Sequence, residues 1–197
     1  MKRLLAVALG ACALTAAVAL AKPAAPPAPA PGPSAGAVAA GQRAFVTVVT
    51  VLKSPRCVNC HPAGDRPLQG DDSHPHAQNI SRKTVAAGVP CGTCHQAQNS
   101  EAVGVPGGPP GAPSWGLPPA DMPMVFQGKS ATAICEQMKD PARNHGKSLA
   151  QLLEHATADP IVLWGWAPGG ARTLPPISHA QFVTLFKAWV DGGGACP

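Results

Sequence analysis

The sequence predicts a mainly α-helical domain, threaded by long irregular Gly/Pro-rich loops and held together by more than its own apolar core. Three observations lead there. Gly and Pro number 21 and 24 of 197 residues, about 23% where an average domain has about 12%. Charged residues make up 13% and aromatics 4%, with four Trp, four Phe and no Tyr, so side chains able to fill a core are scarce. Several windows nonetheless carry apolar residues at helical spacing behind recognisable caps. This make-up excludes a large α/β enzyme, a coiled coil and a multi-pass membrane protein. It calls for disulfides, a metal or a bulky cofactor.

The chain opens with basic Met1-Lys2-Arg3, an apolar run from Leu4 to Leu20 and the A-x-A cleavage signal Ala19-Leu20-Ala21. Residues 1–21 therefore predict a secretory signal peptide and a periplasmic location. A run of about 17 mostly small apolar residues sits at the lower limit for a membrane span. No stop-transfer charges follow it, so no integral membrane segment is expected after cleavage. Acylation at Cys12 is the alternative and would leave a lipid anchor. Residues 22–41, Ala/Pro-rich and nearly uncharged, predict an extended, semi-stiff linker, leaving 42–197 as the folded domain. Without Lys2 and Arg3 the net charge falls from +5 to +3. That is too weak and too dispersed for a nucleic-acid partner.

From Gln42 to Lys53, Phe45, Val48, Val49 and Leu52 form a 3-4-3 apolar stripe, which predicts a helix. It leads into the first cysteine pair, and Pro62 ends that element. Asp65 to Asn79 is polar and loop-like, and Gly104 to Pro123, with seven Pro and five Gly, is a long irregular loop. Lys129 to Asp140 reads as a helix stopped by Pro141. Ser148 with Gln151 and Ser178 with Gln181 are capping boxes. The first opens a helix ending before Pro160. The second opens the C-terminal helix, with Phe182, Leu185, Phe186 and Trp189 on one face and Gly192-Gly193-Gly194 at its end.

The cysteines carry the chemistry. Four fall in two identical frames, Cys57-Val58-Asn59-Cys60-His61 and Cys91-Gly92-Thr93-Cys94-His95. C-x-x-C-H is the attachment signature of a c-type haem. Two thiols add across the two vinyl groups of one porphyrin, and the following imidazole becomes the proximal iron ligand. At this chain's Cys and His content one chance match is expected about once per hundred chains, so two together point strongly to two haem c groups. The four thiols could instead form a zinc site, but the gap between the pairs exceeds the usual spacing of about 15–20 residues and both histidines would go unexplained. A thioredoxin-like dithiol would need a βαβ pattern that is missing. Two large flat apolar porphyrins would also fill the core that this chain's side chains cannot.

Cys135 and Cys196 belong to neither frame. In an oxidising compartment they predict a disulfide closing a loop of about 60 residues, worth about 2–4 kcal/mol. The alternative is two free thiols.

A helix leading to C-x-x-C-H and an amphipathic C-terminal helix resemble the class I cytochrome c plan. Asp121-Met122-Pro123-Met124-Val125-Phe126 resembles that family's methionine-ligand loop. The second frame departs from the plan and the length does not hold two copies of it, which implies one compact dihaem cytochrome c-like domain. Arg56 to Cys196 also resembles small exported bacterial cytochrome c-like proteins labelled in genomes as isoquinoline 1-oxidoreductase subunits. The iron–sulfur and molybdenum-cofactor segments of such an enzyme are missing here. That resemblance therefore implies only a dehydrogenase as electron donor.

Sixth ligands are sought among His and Met. His76 is the choice for the first haem, with His74 beside it in the same loop. His155, at the edge of an apolar helix face, is the choice for the second, with Met124, Met122 and His179 as alternatives. His145 reads as surface and Met138 as core. The N–H groups of Trp164 and Trp166 are candidate propionate donors if the rings are not simply core, and Arg56 and Arg172 are candidate propionate partners. A surplus of ligands without an acid/base constellation favours an electron carrier, passing electrons between periplasmic or membrane-associated redox proteins, over an enzyme. The alternative is a peroxidase-like haem enzyme, a haem sensor or an oxidoreductase subunit with one open iron.

Overall fold

The computed structural model describes residues 31–100 and 108–197, and those from 32 onward belong to one unit, Gly32–Pro197. The signal-peptide reading, Cys12 and the start of the linker lie outside the described residues, as do the first residues of the loop from Gly104.

The unit is mainly helical. Helix α1 spans Ala35–Leu52 and begins earlier than its apolar stripe. Ser34 starts it, its hydroxyl accepting from the Ala37 N–H at 3.2 Å, and Ala and Gly propagate it through residues that composition alone assigns to the linker. The expected helix to Pro62 is instead two pieces. Helix α1 stops at Leu52 and α2, Pro55–Val58, restarts with Pro55 in its first turn, where a missing N–H costs nothing. Next come the two-residue antiparallel pair β1, Leu68–Gln69, and β2, His74–Pro75. Helix α3, Arg82–Ala86, has its own capping box between Ser81 and Thr84. A 3-10 turn at Cys91–Thr93 carries the second frame. Then come α4, Ala131–Lys139, α5, Leu149–Ala158, α6, Pro160–Trp164, and α7, His179–Asp191. Both capping boxes read from the sequence are made, on α5 and α7.

The core lies among α1, α4, α5 and α7. Phe45, Val48 and Val51 of α1 are fully buried, and Phe45 packs on Trp189 of α7 with ring centroids 4.8 Å apart. Trp189 in turn meets Phe186 edge-on at 5.2 Å. The two helices approach closely because their crossing is glycine. A Cβ on Gly41 would stand 3.3 Å from the Gly192 Cα and 3.1 Å from the Ala188 carbonyl. Helix α1 is long and apolar enough to cross a membrane, yet its bulkiest residues face this core. Cys135 of α4 and Cys196 form a disulfide that pins the C-terminal tail to the core.

Candidate haem-binding sites

Each C-x-x-C-H frame centres on a cavity, and Asn59 and Cys60 of the first frame also reach the second cavity. The first, about 640 Å³, holds Cys57, Cys60 and His61 and is walled by the helical core through Leu52, Leu152, Phe182 and Phe186. The second, about 850 Å³, holds Cys91, Cys94 and His95 and is walled mostly by loops. Both volumes are in the range of cofactor pockets, and both are mainly apolar, as a porphyrin requires.

The motif histidines are oriented alike. His61 Nδ1–H donates to the Met124 carbonyl at 2.7 Å, and His95 Nδ1–H donates to the Pro110 carbonyl at 2.6 Å. A carbonyl only accepts, so each Nδ1 carries a proton, and Nε2 is the ring nitrogen left outside that bond. Metal-bound histidines are held this way by outer partners. The His61 ring also stacks on Phe126 at 4.1 Å, and the backbone N–H groups of Phe126 and Gln127 donate to the His61 carbonyl. Burial lowers the His61 pKa to about 4, so the ring is neutral at pH 7, as a ligand must be. For His95 the carbonyl is delivered by a loop that only glycine permits. A Cβ on Gly111 would fall 2.4 Å or less from the Gln96 and Gln98 carbonyls.

The structure places His76 and His155 the other way round from the sequence expectation, each lining the other frame's cavity. His76 faces His95 in the second cavity, their ring centroids 6.1 Å apart and planes at 73°. An imidazole nitrogen binds a transition metal at about 2.0–2.1 Å with the ring centroid about 1.1 Å behind, so two imidazoles on opposite sides of one metal need about 6.3 Å. His155 lines the first cavity with His61, and its Nδ1–H donates to Asp159 Oδ2 at 2.9 Å, which leaves Nε2 with a lone pair. The reversal arises because His76 follows β2, which turns it toward the second frame, whereas α5 packs against the core around the first.

The alternatives are otherwise engaged. His74 is exposed, with its ring nitrogens on Asp72 and Gln69. His179 Nε2–H donates to the Ala156 carbonyl, and its ring packs on Trp166. Met122 sulfur accepts from the His145 backbone N–H. Met124 lines the first cavity, but its sulfur accepts from Gln137 Nε2 and its carbonyl lies behind His61. Met138 is buried in the core and His145 is exposed. Trp164 Nε1–H donates to Asn99 and Trp166 Nε1–H to the Ile177 carbonyl, so both indole N–H groups have partners within the chain. Sequence reading gives no role to Trp115, which stacks on His95 at 4.9 Å with the planes 11° apart and meets Trp164 edge-on. The only hint is an indole in a Gly/Pro loop.

The rival chemistries fit poorly. Burial pushes the Cys57 and Cys60 thiols up to about 12 and about 11, whereas a redox dithiol needs a lowered pKa. Among the described residues no three His, Cys, Asp or Glu side chains converge as a set able to hold a metal ion by themselves. The residues fit two haems. Cys57, Cys60 and His61 would hold one with His155 opposite, and Cys91, Cys94 and His95 would hold the other with His76 opposite. Compared with protein-family models, curated proteins and solved structures, the chain gives no match in any of the three.

Proposed function

We propose that the protein is a periplasmic electron carrier with two covalently attached c-type haems in one compact cytochrome c-like domain, passing electrons between periplasmic or membrane-associated redox proteins. A dehydrogenase is the proposed donor. One observation carries the reading. Both motif histidines hold Nδ1–H on a backbone carbonyl in a cavity shared with their own cysteines, and the His76 ring lies 6.1 Å from that of His95, centroid to centroid. Haem supplies reversible one-electron Fe(III)/Fe(II) chemistry when bound. The chain's own contribution is to anchor the ring edges through thiols, fix the imidazole tautomers and keep both faces apolar.

An alternative, a haem enzyme or sensor with one open iron, has one observation in its favour. The His155 side chain is 40% exposed and fixed by a single exposed-edge pair with Asp159. The carrier reading expects the dihaem protein to be reduced and reoxidised reversibly through both haems without turning over peroxide. Steady peroxide turnover by the wild type would favour the enzyme.

A further inference from the structure

The two cavities share a partition of four residues, Arg56, Cys60, Gly116 and Leu117. Arg56 is the charged member. It lies on α2 immediately before Cys57, and its side chain is only 4% exposed. It is ion-paired with Asp71, itself 39% exposed, and its Cζ stands 5.7 Å from the Trp164 ring centroid. Its Nε is buried and has no hydrogen-bond partner among the described residues. The other charged or titratable side chains around the second cavity are Asp71, His76, His95 and Arg172 with the thiols, and around the first His61, His145, Lys147, His155 and Asp159 with the thiols. Arg56 is thus the permanent charge common to both.

Resting on the dihaem reading, we infer that Arg56 is a shared electrostatic control, a fixed cation in the partition that raises the reduction potential of both haems together. Reducing either iron adds one electron from the external donor and makes that site more negative by one charge. The guanidinium is a permanent cation, and it acts across apolar surroundings where a charge is weakly screened. Its partner Asp71 is partly solvated and so offsets it only in part. The orphaned Nε–H is an unused buried donor on a residue that lines both cavities, suited to an anionic group at a porphyrin edge. Arg172 provides the internal comparison. It lines only the second cavity, and its guanidinium is fixed on the Pro168 and Gly108 carbonyls.

The test is a spectroelectrochemical titration of the holoprotein as wild type, Arg56→Gln, Arg56→Lys and Arg172→Gln. Arg56→Gln should make reduction of each haem about tenfold less favourable, about 59 mV for one electron. Arg56→Lys, which keeps the charge, should restore most of the shift in both. Arg172→Gln should lower only the potential of the His76/His95 haem. A shift confined to one haem in Arg56→Gln, or equal shifts in the Lys and Gln variants, would overturn the inference. The unaltered protein offers an independent reading. Its fully oxidised EPR spectrum should show coupling between the two irons that disappears when one haem is reduced, and two independent spectra would refute the shared partition. Counting haems in the same samples separates the failures. Fewer than two per chain defeats the dihaem reading itself, whereas two haems with unshared responses contradict Arg56 alone.

Discussion

His76 and His95 meet across the second cavity with ring centroids 6.1 Å apart, although one follows a two-residue strand and the other follows a 3-10 turn nearly twenty positions away. Replacing His76 by Ala should therefore open the second haem and leave the first intact. Half the haem should become high-spin and bind carbon monoxide in the ferrous state, with wild-type protein binding little. Carbon monoxide binding unchanged from wild type would mean that His76 is not the ligand. The readout is the visible spectrum with and without the gas.

In the proposed dihaem protein His155, paired with Asp159, serves the first frame. His155→Ala should produce the same high-spin, carbon monoxide-binding signature at the other haem, and Asp159→Asn a weaker version, because the ring loses a charged orienting partner. Met124 sulfur is occupied by Gln137, so the wild type should lack the sulfur-to-iron charge-transfer band of His/Met cytochromes. Finding that band, and losing it in Met124→Ala, would replace His155 by Met124.

Cys135 is fully buried and bonded to Cys196. Mass spectrometry of non-reduced peptides should show this cross-link and no other among these two residues. Changing both to Ser should lower unfolding stability by about 2–4 kcal/mol while both haems stay attached, since neither thiol belongs to a haem frame. Denaturant unfolding of the holoprotein checks it.

Helices α5 and α7 wall the first cavity, and their N-terminal N–H groups are satisfied by Ser148 and Ser178. Ser148→Ala and Ser178→Ala should each cost about 1 kcal/mol, measured in the same unfolding experiment. Potentials should hold, because neither serine lines a cavity.

The features legible in the sequence are those set by local chemistry. The capping boxes at Ser148 and Ser178, the stripe through Phe45, Val48 and Leu52, the helix around Cys135 and the disulfide all rest on neighbouring residues or on elimination. The early start of α1 is hidden because Ala35 to Ala40 lacks the large side chains that mark a buried face. Helices α2, α3 and α6 are only four or five residues long, too short to show a period. The exchange of His76 and His155 is beyond sequence reading for another reason. Which histidine meets which frame is set by how β1 pairs with β2 and by α5 packing on α7, contacts between distant parts of the chain. The indoles of Trp164 and Trp166 escape sequence reading on the same ground, since Asn99 and Ile177, which accept their hydrogen bonds, are remote from them or reached only through the fold.

The proposal of covalently held haem in both cavities fixes a stoichiometry. The direct measurement is the haem-to-polypeptide ratio of protein made with a cytochrome c maturation system, by pyridine haemochrome assay after acid-acetone extraction. Two haems per chain that survive extraction are expected, falling to one when Cys91 and Cys94 are both changed to Ala. Extractable haem, a single haem in the wild type or stoichiometric zinc would contradict it.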